Sequence, residues 1–311
     1  GFKEFTKRIH KHDTVLIAQI YHAGRQSSKM VLGQVPEAPS AIPCPFSPDM
    51  PEEMSIEEIK KIITEFGDCA RRAEEAGFDG IEVHGAHGYL ISQFMSSYTN
   101  KRTDEYGGSL QNRIRFAVEI INDIRSKVSN DFIVGYRISA DEYVTGGRNI
   151  GDTMTIVPYL EEAGIDYIHV SAGVYRSFDD IIPSQYRGHS WNTNAASEIK
   201  KITKLPVISV GRINDPRLAE TIIASGKADI VAMGRQSLTD PETPNKAKEG
   251  RFDEIRNCIA CHHGCVKNLL NNVPIQCILN PTLGRESEVS LEKTEAPKNI
   301  MVIGSGPAGL E

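Results

Sequence analysis

From residue 15 onward, short β-branched runs alternate with longer segments whose apolar positions recur at helical spacing. The runs at 15–20, 80–84, 132–139, 167–171, 206–210 and 229–233 read as strands. Segments 55–76, 109–128, 153–163, 194–202, 216–224 and 241–249 read as helices. In the second of these, Ile114, Val118, Ile121, Ile124 and Val128 share a face, and Ser109 stands where an N-cap belongs. Three strands follow "EEAGFDGI", "EEAGIDYI" and "IASGKADI", a repeated helix–Gly–Asp–strand join. Such alternation predicts right-handed crossovers and a parallel sheet. Six βα units are visible where a closed barrel needs eight, and the residues before 15 leave room for a single helix. The expected fold is therefore α/β, a TIM (β/α)8 barrel lacking its first two strands in this chain. A doubly wound open sheet is the alternative, and the strand-end chemistry below favours the barrel.

Composition narrows the partners. The chain has 311 residues, 40% of them apolar and 24% charged, with a net charge of −6. No dense basic patch points to nucleic acid, and no apolar run is long enough to span a bilayer. The opening "GFKEFTKRIHKHDT" is basic but is followed by no apolar region of a signal peptide, so a cytoplasmic location is expected. Four of the six cysteines fall in one window while Cys44 and Cys69 stand alone, which points to a cofactor rather than a disulfide framework.

Parallel βα barrels carry their chemistry at the C-terminal ends of the strands. Those ends read Gln19 with 21–25, then His84, Arg137, Ser171-Ala172-Gly173, Gly211-Arg212 and Gly234-Arg235. Glycines at the last three let backbone N–H groups approach an anion, and two arginines add fixed positive charge. Any one such glycine could simply end a strand; three together favour a phosphate. In "GFDGIEVHGAHGYLISQF", residues 77–94, a straight strand would send His84 and His87 to opposite faces. A bend at Gly85 and Ala86 would instead bring both imidazoles and the Tyr89 phenol to one pocket. The plainer alternative is a core histidine beside a loop histidine.

Cys258-x2-Cys261-x3-Cys265-x11-Cys277 supplies four thiolates, for a [4Fe–4S] cluster or structural zinc. The uneven spacing differs from the two matched pairs usual for zinc. Farther on, "NIMVIGSGPAGLE" reads as a strand running into Gly304-x-Gly306-x-x-Gly309, the turn that opens a dinucleotide fold.

Several stretches resemble a known family. "IAQIYHAGRQ", "GIEVHGAHGYLISQF", "TNKRTDEYGGSLQNRIRFAVEII", "VGRINDP" and "VAMGRQSLTDPE" are similar to the flavin barrel of the old yellow enzyme family of NADH:flavin oxidoreductases. "CIACHHGCVKNLLNNVPIQCILNP" with "GSGPAG" resembles its long iron–sulfur branch, which includes 2,4-dienoyl-CoA reductase, the bile-acid enone reductases and trimethylamine dehydrogenase. The resemblance implies an FMN-binding barrel over 1–255, a four-cysteine [4Fe–4S] segment over 256–282, a linker over 283–297 and the start of an FAD/NAD(P)-binding domain over 298–311.

It also implies roles. Gln19 would bond the flavin pyrimidine edge, Arg137 would lie near N1–C2, and Gly173, Gly211, Arg212, Gly234 and Arg235 would hold the phosphate. Cys258, Cys261, Cys265 and Cys277 would ligate the cluster. NAD(P)H, entering through FAD in a longer protein, would supply electrons that the cluster relays to FMN. The implied reaction is hydride transfer from FMN N5 to an activated C=C bond of a small unsaturated carbonyl compound. His84 and His87 would act as donors to the growing oxyanion and Tyr89 as proton source. Tyr175 is open to two readings, substrate contact or packing. Because the dienoyl-CoA branch lacks the histidine pair, the implied substrate is a cyclic or steroid-like enone. Two alternatives are an amine dehydrogenase or N-demethylase of the trimethylamine dehydrogenase type, and a flavin/iron–sulfur electron carrier without a substrate. A homo-oligomer is left open.

Overall fold

Each barrel strand pairs in parallel with the next in the chain: β1 (Ile17–Ile20), β2 (Gly80–Gly85), β3 (Ile133–Ser139), β4 (Tyr167–Ser171), β5 (Val207–Val210) and β6 (Ile230–Ala232). This computed structural model describes residues 1–289, 294–304 and 306. A doubly wound sheet reverses its order at a switch point. Here the order runs straight through, which is barrel order and removes that alternative. The chain divides into two units, Gly1–Cys261 and His262–Glu311.

In the first unit the repeated join has a specific function. Its aspartate caps the neighbouring strand: Asp79 accepts from the Leu16 N–H at 2.7 Å, Asp166 from Val134 at 2.7 Å and Asp229 from Val207 at 2.9 Å. Helices α1 (Ile56–Glu75), α2 (Leu90–Met95), α3 (Leu110–Lys127), α4 (Ile150–Glu162), α5 (Thr193–Lys200) and α6 (Pro216–Ala224) cross between strands. A capping box of Asn149 with Asp152 starts α4 ahead of its expected residue 153. A helix that the sequence did not predict, α7 (Gly234–Thr239), precedes the expected helix over 241–249, which forms as α8 (Thr243–Lys248), and the two are separated at the extended Asp240. That buried carboxylate is occupied by Lys246 Nζ at 2.7 Å and the Arg256 N–H at 3.0 Å. Helix α2 has no sequence signature because every one of its residues is buried, leaving no polar stripe to read.

Side chains alternate across the sheet. Ile81, Val83, Val134, Tyr136, Ile138, Ile168 and Val170 join one apolar core with α1, α3 and α4. The opposite face carries Gln19, Glu82, His84, Arg137, Ser139, Tyr167, His169 and Ser171. Register sets Gln19 beside Glu82, His84 beside Arg137, Arg137 beside His169, and Ser139 beside Ser171. Among the described residues no helix is long and apolar enough to cross a membrane.

The second unit has one short helix, α9 (Val266–Leu270), and no strand among its described residues. The strand expected before Gly304 is not formed: Ile300, Met301, Val302 and Ile303 are exposed. A β ladder needs a partner, and no described strand of this unit offers one. Gly304 adopts a left-handed φ of 117°, a Cβ at Gly306 would meet nothing, and Gly309 lies outside the described residues.

Candidate functional site

The bend between the histidines is present but is not made where the glycines suggested. Gly85 stays in β2, where its missing Cβ matters for packing, since a methyl there would come within 2.2 Å of Tyr136 Oη. The left-handed residues are His87 (φ 58°) and Gly88 (φ 75°), directly before Tyr89 and α2. A positive φ at a non-glycine persists when neighbours over-determine it. Here the His87 N–H donates to Ser139 Oγ (2.9 Å), its Nε2 bonds Ser171 Oγ (2.6 Å), and its carbonyl accepts from Gln26 Nε2 (2.8 Å).

The turn gathers the expected groups. Ring centroids lie 4.9 Å apart for His84 and His87 and 4.8 Å apart for His84 and Tyr89. The Tyr89 and Tyr175 hydroxyls are 3.2 Å apart, and Tyr21 packs 4.9 Å from the Tyr89 ring. His84 Nδ1 accepts the Ala86 N–H at 3.2 Å, which leaves the ring proton on Nε2 as a donor. Burial, with help from the Arg137 guanidinium, holds the His84 imidazole down to about 3. Burial, then Arg137 and His84, holds His87 well below its usual range. Both rings are neutral at pH 7. With His87 Nε2 bonded to Ser171, Nδ1 is the nitrogen left for a ligand, so the two histidines are not equivalent donors. Burial and then the Tyr89 hydroxyl raise Tyr175 above the usual phenol range.

Beneath this group lies a network with no local sequence signal. Glu82 accepts from Gln19 Nε2 (2.5 Å), Tyr167 Oη (3.1 Å) and His169 Nδ1 (3.0 Å). Burial would raise its carboxyl, but His169 and Gln19 donors and the Arg137 charge hold it down to about 2. The only hint was polar residues inside otherwise apolar runs, "GIEVH" and "YIHVS". Arg137 is half-buried, with its Nε enclosed and unpaired by protein, a cation prepared for an acceptor.

A cavity of about 170 Å³ opens beside Arg137, between the turns after β5 and β6, lined by Gly211, Arg212, Gly234 and Arg235. Gly211 (φ 123°) and Arg212 (φ 52°) are both left-handed, and a Cβ at Gly234 would meet nothing. Asn192 Nδ2, buried next to Gly211, has no protein acceptor; sequence reading passed it over. Arg212 Nη1 donates to the carbonyls of Gln185 and Arg187, and Arg235 Nη1 to that of Pro183 at 2.8 Å, so both brace one loop. Gly173 is not part of the cavity wall. Its left-handed backbone (φ 78°) lets 180–181 approach, because a Cβ would meet the Ile181 nitrogen at 2.9 Å.

All four clustered cysteines are half-buried. In the first unit the left-handed Ala260 directs its N–H to Cys258 Sγ at 3.4 Å. In the second, the Gln276 N–H bonds Gly264 O at 2.8 Å, bringing the neighbours of Cys277 and Cys265 together. No group of three or more metal-ligating side chains is assembled among the described residues.

Barrel strand order, a half-buried arginine with an enclosed, unpaired donor and a glycine-lined cavity at the strand ends define a barrel suited to a phosphorylated cofactor. More specifically, the chain belongs to the NADH:flavin oxidoreductase / NADH oxidase family, whose model matches residues 1–254. It is 47% identical to an NADH oxidase of Thermoanaerobacter brockii over 315 residues, covering 100% of this chain and 48% of that protein. Among solved structures it matches 2-naphthoyl-CoA reductase in complex with 2-naphthoyl-CoA (TM-score 0.93, 31% identity, 100% of this chain and 49% of that one). It also matches histamine dehydrogenase from Rhizobium sp. 4-9 (TM-score 0.89, 30% identity, 99% and 46%). The chain thus spans about half the length of the relatives it matches. FMN is the cofactor of this family, and the unpaired donors of Arg137 and Asn192 with the glycine-lined cavity fit it.

Proposed function

We propose that this chain forms the FMN barrel and cluster segment of an NAD(P)H-dependent reductase of C=C bonds conjugated to a carbonyl. The observation that carries the reading is the convergence of a neutral His84 Nε2 donor, His87 and the Tyr89–Tyr175 phenol pair beside Arg137. When bound, FMN supplies the hydride. Arg137 Nε would stabilise negative charge on the flavin ring, Gln19 Oε1 would meet its pyrimidine edge, and Gly211, Arg212, Gly234 and Arg235 would cradle its phosphate. His84 Nε2–H would bond the substrate carbonyl oxygen as charge grows there, with His87 Nδ1 as the second donor. Tyr89 would give its proton to the α-carbon and take one back from Tyr175.

Cys258, Cys261, Cys265 and Cys277 would hold a [4Fe–4S] cluster, which passes electrons singly. Residues 298–311, with Gly304, Gly306 and Gly309, would open an FAD/NAD(P) domain that receives hydride from NAD(P)H. A second reading, amine oxidation, draws on the similarity to histamine dehydrogenase and on the Tyr21, Tyr89 and Tyr175 rings, which would suit a cation. The test is to reduce full-length protein anaerobically with NADH and mix it with a cyclic enone, and to mix oxidised protein with a tertiary amine. Flavin reoxidised by the enone supports the first reading and flavin bleached by the amine the second. Neither result would leave an electron carrier.

A further inference from the structure

A run of aromatic rings leads away from the histidines, and its outermost member is displayed on a fixed turn. Phe46 lies between β1 and α1 with 58% of its surface exposed. Its turn is held from both sides. The Ser47 N–H donates to Cys44 O at 3.2 Å and Ser47 Oγ to Ser27 O at 2.7 Å, while the buried Arg25 donates to the carbonyls of Ile42 (3.3 Å) and Pro43 (3.0 Å). Pro45 presets the backbone φ of the turn. The ring so held stands against Tyr175 (centroids 5.8 Å apart, planes at 88°) and Phe178 (5.8 Å), which meet each other edge to face at 6.0 Å after β4.

The contacts run in one direction from the oxyanion donor: His84 to Tyr89 (4.8 Å), Tyr89 to Tyr175 (6.0 Å), Tyr175 to Phe46 (5.8 Å). A conjugated carbonyl compound presents its parts in the same order: oxygen, α-carbon, β-carbon, β-substituent. With the oxygen at His84 and the α-carbon at Tyr89, the β-substituent falls toward Phe46. The carboxylates that follow Phe178 add no free charge there, because Asp179 and Asp180 both pair with Arg187, at 3.1 and 2.8 Å. Such a wall favours a flat neutral ring over an ammonium group. Resting on the reading of His84 as oxyanion donor and Tyr89 as proton source, we propose that Phe46, Tyr175 and Phe178 form a subsite for an aryl group on the β-carbon. The substrate class is then a β-aryl α,β-unsaturated carbonyl compound, and Phe46 is the residue that selects it.

The test uses full-length protein and two enones that differ only in the β-substituent, benzylideneacetone (phenyl) and butylideneacetone (propyl). Unaltered protein should favour the phenyl compound in kcat/KM by about tenfold, the scale of a few aromatic edge contacts. Phe46→Ala should cut that preference by about fivefold, chiefly through KM, and Phe46→Tyr should keep it. The propyl compound should be reduced at the same rate by all three proteins. Equal kcat/KM for both enones in unaltered protein, or an unchanged preference in Phe46→Ala, overturns the subsite. If neither enone reoxidises reduced flavin, the reductase reading falls instead. Calorimetric Kd values for the saturated ketones, benzylacetone and its propyl counterpart, need no turnover and then decide the subsite: tighter binding of benzylacetone that is lost in Phe46→Ala supports it, and equal binding refutes it. Circular dichroism reports folding, and should Phe46→Ala unfold, Phe46→Leu takes its place.

Discussion

The two faces of the six-stranded sheet come from the same residues in alternation and carry opposite chemistry. Toward the helices stand Ile81, Val83, Val134, Ile138, Ile168 and Val170, all buried in one apolar core. Toward the other side stand Glu82, His84 and His169, also buried, and the half-buried Arg137, each bearing a charge or a proton. Strands of a parallel sheet covered on both faces usually read as unbroken apolar runs. A strict alternation in strands this buried therefore marks one face as reserved for chemistry, with stability drawn from the other.

The sharpest separation is expected from Tyr89→Phe. Loss of the proton donor should lower kcat for an enone by about 10²–10⁴-fold while the denaturation midpoint hardly moves; a rate within threefold of the parent would remove Tyr89 from the chemistry. Next, Glu82→Leu strips the acceptor from His169, Gln19 and Tyr167 and leaves Arg137 without its counter-charge. Breaking a buried pair this way should cost about 3–5 kcal/mol in urea unfolding and weaken FMN binding as well. On the opposite face, Ile168→Ala should cost about 2–5 kcal/mol through the cavity it leaves, with the FMN Kd within twofold. If Ile168→Ala released flavin as readily as Glu82→Leu, the division between the faces would be wrong.

Smaller effects refine the picture. Ser171→Ala leaves His87 Nε2 unpaired and should cost about 1–3 kcal/mol. Acid titration isolates the imidazoles. Below 6.5 an unfolded His84 takes up a proton, whereas the folded one refuses it until about 3. The unfolded state then binds more protons, so stability falls as pH drops through that window, by about 1.4 kcal/mol per pH unit. A His84→Gln variant should show a flatter decline there, and an identical slope would mean that His84 is not held neutral.

The strands were readable because β-branched runs and the Gly–Asp joins are local signals, and the Asp79, Asp166 and Asp229 caps give those joins a physical cause. His84, His87 and Tyr89 were readable as a group, but the location of their bend was not. A glycine is as useful for letting Tyr136 approach as for turning the chain, and sequence alone does not separate the two uses. The Glu82–His169 pair was missed because its meaning lies in register between strands 87 residues apart in the chain. Helix α2 was missed for want of a polar side, and 299–303 reads as a strand although a strand forms only when paired.

The backbone of residue 87 also restricts what evolution can install there. Whatever occupies the position must tolerate a left-handed turn and still present an N–H to the pocket. Asparagine shares both properties with histidine, whereas a lysine or glutamine would carry the donor but resist the turn. Drift at this site should therefore shuttle between two residues, even as the loops around it diversify with substrate.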